Sequence, residues 1–235
     1  MKYFLLLLST SVLLFANVYY AKLEPVNTYN VKSSISGKIV YVNEDIESKI
    51  SNNSVIVHID DKINKIELKQ SNIKFQSLKK IIQIQKNTLK SFKKVSSKSK
   101  FEKDQQEITI LNTSANLSDL NIKIANLKDI IKNKTLKENN TYISNINAKK
   151  GDYVNPGFLL YTAQDLSKAK LEIFVSFDDV KDLKNKTIFL DDKKTDLKIS
   201  KIFKTADTKH ISAYKVQIIV PEVSQFSKLI KVSFK

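Results

Sequence analysis

The sequence predicts a mainly β protein that is interrupted by one long α-helical coiled-coil hairpin and closes with a small β-barrel. All three glycines and all three prolines of the 235-residue chain lie outside residues 62–137. Inside this stretch the apolar residues recur at alternating spacings of three and four, which is typical of helices that meet along a narrow seam. Outside it, β-branched and aromatic residues form short runs that polar turns separate, as strands do.

The first 21 residues are predicted to form a secretory signal peptide. Met1-Lys2-Tyr3 supplies a positive start, and an apolar stretch follows to residue 18 with only four polar residues. Ala21 ends this region, so we expect cleavage there. A retained N-terminal anchor is the alternative, because the apolar stretch approaches the lower limit for a membrane span. Both readings predict an exported chain.

Short strands are predicted between residues 28 and 60. Residues 28–42 are rich in β-branched and aromatic side chains and are broken once, at Gly37. A second run covers residues 55–59 and ends at Asp60-Asp61. These two carboxylates can cap the helix that follows.

Two apolar runs predict the helical hairpin over residues 62–137. The first run consists of Leu68, Phe75, Leu78, Ile82, Leu89 and Phe92, with Ser71 and Gln85 as weak seam positions. The second consists of Leu117, Leu120, Ile124, Leu127 and Ile131. Residues 95–100 are polar and suit a tight reversal. Two helices of roughly 33 residues would form a rod about 50 Å long. A helical core segment of an ordinary domain is the alternative, and the narrow stripe suits it less well.

An internal repeat flanks the hairpin. Residues 151–164 can be laid on residues 47–60 at a shift of 104 positions, because 151 − 47 = 104. Val154 then meets Ile50 and Leu160 meets Ile56, so the apolar positions coincide. Gly157 meets an asparagine, Asn53, which is the residue after glycine that best tolerates a left-handed backbone.

Residues 171–235 continue as about five strands with polar turns, and residues 178–183 suit one or two helical turns. A small β-barrel is the natural closure for such a segment.

These pieces, in this order, resemble the periplasmic adaptors, or membrane fusion proteins, of the HlyD/AcrA-like family in tripartite efflux and secretion systems. The likeness is carried by Ser36-Gly37-Lys38-Ile39 through residue 60, and by residues 151–157 through Leu160. It implies a split lipoyl-like barrel-sandwich hybrid made of residues 22–61 and 138–170, a hairpin of residues 62–137 and a β-barrel of residues 171–235. The structural turns of its two halves would lie at Gly37, Asn53, Gly151 and Gly157.

The resemblance also implies that the hairpin tip binds an outer-membrane channel. The implied channel-binding residues are Lys93, Lys94, Ser96, Ser97, Lys98, Ser99 and Phe101. Because the seam does not require residues 96–100, we expect no packing role for them. One departure is that lysines stand where channel-docking relatives commonly carry an arginine near the tip.

The implied function is that of a non-enzymatic adaptor in the periplasm, peripheral to the inner membrane. It would link an inner-membrane transporter to a TolC-like outer-membrane channel and export small molecules. An RND-type efflux pump is favoured as the transporter, an ABC-type exporter is the alternative, and self-association to a hexamer is expected. A second hypothesis is an exported lipoyl or biotin carrier. Such a carrier needs an acceptor lysine on the turn between the halves, which the hairpin replaces here.

Composition argues against several other functions. The net charge is +16, and all 40 basic residues are lysine, so the guanidinium groups that nucleic-acid readers favour are absent. We therefore expect no nucleic-acid partner. There is no cysteine for a thiol nucleophile or a thiolate metal site. His58 lies beside Asp60-Asp61 and His210 lies in a polar turn, but neither has a credible catalytic partner or ligand spacing. We expect no catalytic residues, cofactor or metal.

Overall fold

The structure, a computed structural model, describes residues 17–206 and 208–235. Most of the predicted signal peptide, residues 1–16, lies outside the described residues. The strands are β1 (Val18–Lys22), β2 (Glu24–Lys32), β3 (Gly37–Val42), β4 (Lys49–Ile50), β5 (Ser54–Ile59), β6 (Thr135–Glu138), β7 (Tyr142–Ile146), β8 (Tyr153–Val154), β9 (Leu159–Ser176), β10 (Ile188–Leu190), β11 (Lys193–Lys194), β12 (Ile199–Ile202), β13 (Ala213–Pro221) and β14 (Leu229–Phe234). The helices are α1 (Lys62–Lys94) and α2 (Lys100–Asn133).

The predicted fold class is confirmed, since the described residues form fourteen β-strands in several sheets and two long helices that make one hairpin. The chain divides into two compact units. The hairpin unit comprises residues 29–163, and the β unit comprises residues 17–28 together with the described residues of 164–235. Among the described residues, no helix is long and apolar enough to cross a membrane.

The helices of the hairpin pack along the predicted seam. Within α1 the buried side chains are Ser71 and Ile82, and within α2 they are Ile110, Leu120, Ile124 and Leu127. The remaining seam positions are half-buried, and they continue the spacing of three and four along both helices. The other faces of both helices are exposed, so the hairpin core is only one stripe wide.

One layer of the seam is polar. The side-chain nitrogen of Gln106 donates to the backbone oxygen of Gln85 at 3.2 Å. The side-chain oxygen Oε1 of Gln85 is buried, and no hydrogen-bond donor of the described residues reaches it. A buried acceptor without a donor costs stability, because it gives up its water and gains no partner.

The two halves of the repeat pair with each other in a reciprocal way. Strands β3, β4 and β5 correspond to β7, β8 and the start of β9. The first strand of each half pairs with the second strand of the other half: Gly37 faces Val154 across β3 and β8, and Lys49 faces Ile143 across β4 and β7. The aligned residues Ile56 and Leu160 are both fully buried in the shared core. Each half thus completes the sheet of the other.

The β unit encloses a second apolar core between two groups of strands. In one group the order is β1-β14-β10-β11, and in the other β13 pairs with both β12 and the second part of β9. Every second residue of β9 from Ala169 to Val175 is buried, as expected for a strand with one face on a core. Val216, Ile218 and Val232 complete this core.

The position of strand β1 does not fit the predicted cleavage after Ala21. Val18 to Lys22 pair with β14, from Ser233 back to Leu229, and the side chain of Ala21 is buried. Cleavage after Ala21 would remove four of the five residues of this strand. A cleavage site upstream of Val18 would keep the strand complete.

We expect Gln85→Leu to stabilise the hairpin. The change removes the buried acceptor and places an apolar side chain of similar size in the seam, which should add about 1 kcal/mol to the free energy of unfolding. For a chain of this size that corresponds to a rise in Tm of about 2–4 °C. Thermal unfolding followed by circular dichroism at 222 nm measures the shift.

The matched control is Gln83→Leu, which lies on the exposed face of the same helix. It should change Tm little, because it removes no buried polar atom. An equal rise in both variants would mean that helix propensity, and not the polar layer, determines the result.

Candidate partner-binding tip of the helical hairpin

The bend between the helices is a short turn of residues 95–99. The N–H of Val95 donates to the carbonyl of Phe92, and the N–H of Lys98 donates to the carbonyl of Val95, both at 3.3 Å. The turn therefore closes on its own backbone.

A capping box starts α2 at the second half of the bend. The hydroxyl of Ser99 accepts from the N–H of Glu102 at 3.2 Å, and the Glu102 carboxylate accepts from the N–H of Ser99 at 2.9 Å. The Lys98 ammonium donates to the same carboxylate at 2.6 Å and lies 4.8 Å from the centre of the Phe92 ring. These contacts supply hydrogen-bond acceptors and charge to a helix N-terminus that would otherwise lack them.

Two of residues 96–100, for which the seam predicted no packing role, have structural contacts of their own. Ser99 is the N-cap of α2, and Lys98 is held by Glu102 and by the Phe92 ring. Sequence reasoning could have found the cap, because Ser99 and Glu102 have the spacing of a capping box. Ser96 and Ser97 have no such contact and are exposed.

The exposed surface of the tip combines lysines with apolar side chains. Lys93 and Lys94 are exposed, and no ion pair is found for either among the described residues. Phe101 is 76% exposed and Val95 is 47% exposed, so an aromatic ring and an aliphatic side chain face the solvent beside the lysines. A large exposed aromatic side chain is a common anchor at protein interfaces. A partner with an acidic rim and an apolar pocket would match this surface.

The proposed structural turns lie in the hairpin unit, away from the tip. Asn53, Gly151 and Gly157 have φ values of 46°, 102° and 93°, in the left-handed region that favours glycine and asparagine. At Gly37 the reason is space, because an added Cβ would lie 2.5 Å from Cγ2 of Ile59. These residues shape the sandwich that carries the hairpin.

The residues considered for catalysis have structural contacts. His58 contacts the Thr135 hydroxyl at 2.9 Å through Nδ1 and lies 3.6 Å from the Asp61 carboxylate through Nε2. Asp61 also pairs with Lys65 at 2.8 Å. In the β unit the ring of His210 stacks on Phe174, with the centroids 3.5 Å apart. No group of three or more potential metal ligands occurs within residues 17–206 and 208–235.

Two further faces of the hairpin were missed by sequence reasoning, which followed only the seam. On α1 five exposed isoleucines fall in one sector of about 80° when the helix is projected at 3.6 residues per turn. They are Ile63, Ile66, Ile73, Ile81 and Ile84. On α2 a sector of similar width lies opposite the seam and carries exposed apolar residues together with three aspartates. They are Phe101, Ile108, Leu111 and Ile122, with Asp104, Asp119 and Asp129. A helical projection of all apolar positions would have revealed both faces.

Known structures share this fold. MacA from Actinobacillus actinomycetemcomitans is 15% identical with a TM-score of 0.71, over 94% of this chain and 78% of that protein. The membrane fusion protein Spr0693 from Streptococcus pneumoniae R6 is 13% identical with a TM-score of 0.69, over 93% of this chain and 97% of that one. A MacA–MexA chimera with the α-hairpin of Pseudomonas aeruginosa MexA is 16% identical with a TM-score of 0.67, over 94% and 81%.

Neither a protein-family model nor a curated protein sequence matches the chain. The likeness is therefore one of structure, and it shows that the chain has the fold of the membrane fusion proteins. The fold implied by the resemblance in the sequence is confirmed.

The capping box predicts how the tip responds to acid. The ion pair with Lys98, followed by the hydrogen bonds from Ser99, lowers the pKa of Glu102 from 4.5 to about 2. A lowered pKa in the folded state means that the capping contribution is complete above pH 4.5 and is lost as the pH falls from 4.5 towards 2. Ser99→Ala should raise the pKa of Glu102 part of the way towards 4.5, because it removes the hydrogen bond that the Ser99 hydroxyl donates to the Glu102 carboxylate at 3.0 Å.

An NMR titration of the Glu102 side-chain carboxyl measures this change. Ser96→Ala is the matched control, since Ser96 lies in the same turn outside the capping box. The same Glu102 pKa in the Ser99→Ala variant and in the unmodified protein would contradict the assignment of the cap.

Proposed function

We propose that this protein is a periplasmic adaptor that links an inner-membrane transporter to a TolC-like outer-membrane channel for the export of small molecules. The observation that carries the proposal is the hairpin itself. Helices of 33 and 34 residues form a rod about 50 Å long, which a β-sandwich holds at one end and which presents a basic and aromatic tip at the other. Such a rod is suited to holding two partners apart and in register.

A binding role is also supported by how the ionisable residues are used. His58 and Asp61 join the first strands to the base of α1, and Glu102 caps α2. The side chains that remain free and prominent are lysines, isoleucines and Phe101, which are residues of contact surfaces. An RND-type efflux pump is the transporter that we propose.

The fold counts against a lipoyl or biotin carrier. In such a carrier the two halves would be joined by a turn that displays the acceptor lysine. Here β5 leads through Asp61 into α1, and α2 returns at Lys134 into β6. At this junction Lys134 donates to the Asp60 carbonyl at 2.6 Å and to Asn64 at 2.7 Å. It is held against the base of the hairpin and is poorly placed for acylation.

Self-association of several copies, with six expected, is part of the proposal. The exposed isoleucines of α1 are flanked by lysines, and the outer face of α2 carries apolar residues with aspartates. The α1 face of one copy is therefore complementary to the α2 face of a second copy, both in apolar surface and in charge. Because the two faces differ, each copy can contact two neighbours, and repetition of this contact can close a ring.

Charge reversal at the tip tests the proposed channel contact. Lys93→Glu with Lys94→Glu, or Ser97→Asp, places negative charge where an acidic channel rim would bind. Either variant should reduce cross-linking to the channel by about tenfold or more, and efflux with it, because like charges meet at the interface. Binding to the inner-membrane transporter and folding should be unchanged.

The matched control is Lys128→Glu with Lys132→Glu, which makes the same charge change at the other end of α2. Its channel cross-linking should stay at the level of the unmodified protein. Undiminished channel recovery by both tip variants would refute the assignment of the tip.

Polar substitution on the outer face of α2 tests self-association. Leu111→Asn with Ile122→Asn removes two exposed apolar side chains without touching the seam. Sedimentation velocity should show that this variant forms assemblies only at concentrations about tenfold or more above those of the unmodified protein, since apolar burial drives the contact.

Asn116→Ser with Asn121→Ser alters two exposed residues outside that face and should leave assembly unchanged. A strictly monomeric unmodified protein would contradict the proposal, and so would equal assembly of the Leu111/Ile122 variant.

A further inference from the structure

The lysines of the hairpin are distributed very unequally between its two helices. Helix α1 contains ten lysines and a single acidic residue, Glu67. Helix α2 has nearly the same length and contains five lysines and five acidic residues. Both helices come from one sequence with one compositional bias towards lysine. The bias alone therefore does not explain a charge of +9 on α1 beside zero on α2.

The lysines of α1 also share one face. At 3.6 residues per turn, nine of the ten fall in a sector of about 140°, separate from the isoleucine stripe. This lysine face consists of Lys62, Lys65, Lys69, Lys79, Lys80, Lys86, Lys90, Lys93 and Lys94. All nine are exposed. The face runs the length of the helix, from residue 62 to residue 94, which is about 48 Å.

Almost no charge on the chain itself compensates this face. Lys65 pairs with Asp61 at 2.8 Å, and no ion pair is found for the other eight among the described residues. Near the tip, Lys86, Lys90, Lys93 and Lys94 surround Leu89 in an open depression of about 360 Å³. Lysines three or four residues apart, such as Lys86, Lys90 and Lys94, are neighbours on a helix face, and their charges repel one another because the screening length at physiological salt is about 8 Å. An extended anionic ligand would relieve that repulsion.

The residues between the lysines indicate what kind of polyanion would bind. Asn72, Gln76, Gln83 and Asn87 fall within the same sector, and all four are exposed. Asn72 donates to the Leu68 carbonyl and Gln83 donates to Asn87, but each of these bonds uses one N–H of the donating amide. Amide side chains carry two N–H donors and a carbonyl acceptor, so the remaining groups can bind hydroxyl and acetamido groups of a sugar. The lysine face carries no exposed aromatic or aliphatic side chain that would insert into a lipid surface. Lysine also acts as a point charge without a fixed fork geometry, which suits carboxylates that are irregularly spaced along a polymer.

We propose that the lysine face of α1 binds an extended glycan polymer that carries carboxylates, of the kind found in the bacterial cell wall. The inference rests on the proposed export of the chain, since only an exported protein meets that polymer. It adds a third partner to the two that the adaptor connects. The rod would be held along its side by the cell wall while its tip remains available to the channel.

Co-sedimentation of the full-length protein with isolated peptidoglycan sacculi, treated with protease to remove bound proteins, tests this proposal. The variant Lys69→Gln, Lys79→Gln, Lys86→Gln removes three charges from the middle of the face and leaves the tip lysines Lys93 and Lys94 intact. Its affinity for sacculi should fall about tenfold or more, and the salt dependence of binding should become shallower, because fewer counterions are displaced. The matched control, Lys103→Gln, Lys128→Gln, Lys132→Gln, removes the same charge from α2 and should change the affinity less than twofold.

Three results would overturn the inference. The first is an equal loss of sacculus affinity in both triple variants, which would indicate that net charge alone determines binding. The second is that the unmodified protein does not bind sacculi. The third is binding to vesicles of anionic phosphatidylglycerol with none to sacculi, which would indicate that the face binds a membrane surface. Channel cross-linking separates this proposal from the proposed function. The Lys69/Lys79/Lys86 variant should retain it, whereas the Ser97→Asp tip variant, which lies outside the lysine face, should lose it and still bind sacculi.

Discussion

The pairing of strand β5 with strand β6 is the contact on which the rest of the hairpin unit depends. It places His58 opposite Thr135, so the chain leaves for α1 and returns from α2 at neighbouring positions of one sheet. The His58–Thr135 side-chain contact and the reach of Lys134 to Asp60 and Asn64 hold the two helix ends together. Two helices that start side by side and antiparallel can meet along their whole length. The rod therefore depends on the register in which β5 pairs with β6 at the base of the hairpin.

A seam one stripe wide leaves most of each helix available for other contacts. On α1 the isoleucine stripe occupies a sector of its own and the lysine face borders the seam at Leu68 and Phe75, and on α2 the outer face is apolar and acidic. A wider hydrophobic core would have stabilised the hairpin more strongly but would have consumed these surfaces. The polar seam positions Ser71 and Gln85 are a similar compromise. A polar residue in a coiled-coil seam lowers the stability of the packing, but it disfavours alternative registers of the two helices. The hairpin is therefore a support whose surfaces are available for separate contacts.

Much of the architecture could be predicted from sequence because local signals agreed with the fold. The spacing of Leu68, Phe75 and Leu120 predicted the seam, and the 104-residue shift predicted which strands are equivalent. The reciprocal pairing of those strands was not predictable, since a degenerate repeat does not say which half a strand completes. The N-terminal strand was missed because its apolar residues continue the apolar leader, and hydropathy does not distinguish the two. At the tip, a serine that caps and a serine that is free look alike until the helix start is known.

The first strand of the β unit pairs with the last, Val18 against Ser233, so this unit has a contact that spans almost the entire chain. Such a contact joins residues that are far apart in the sequence, and its loop must close before it forms. The hairpin unit needs nothing beyond residue 163 to complete its own pairings. During synthesis from the N-terminus, the hairpin unit can fold early. Strand β1 stays unpaired until its partner strand, β14, has been synthesised. The interval in which that strand edge is exposed is the period when the protein is most open to aggregation and to proteolysis.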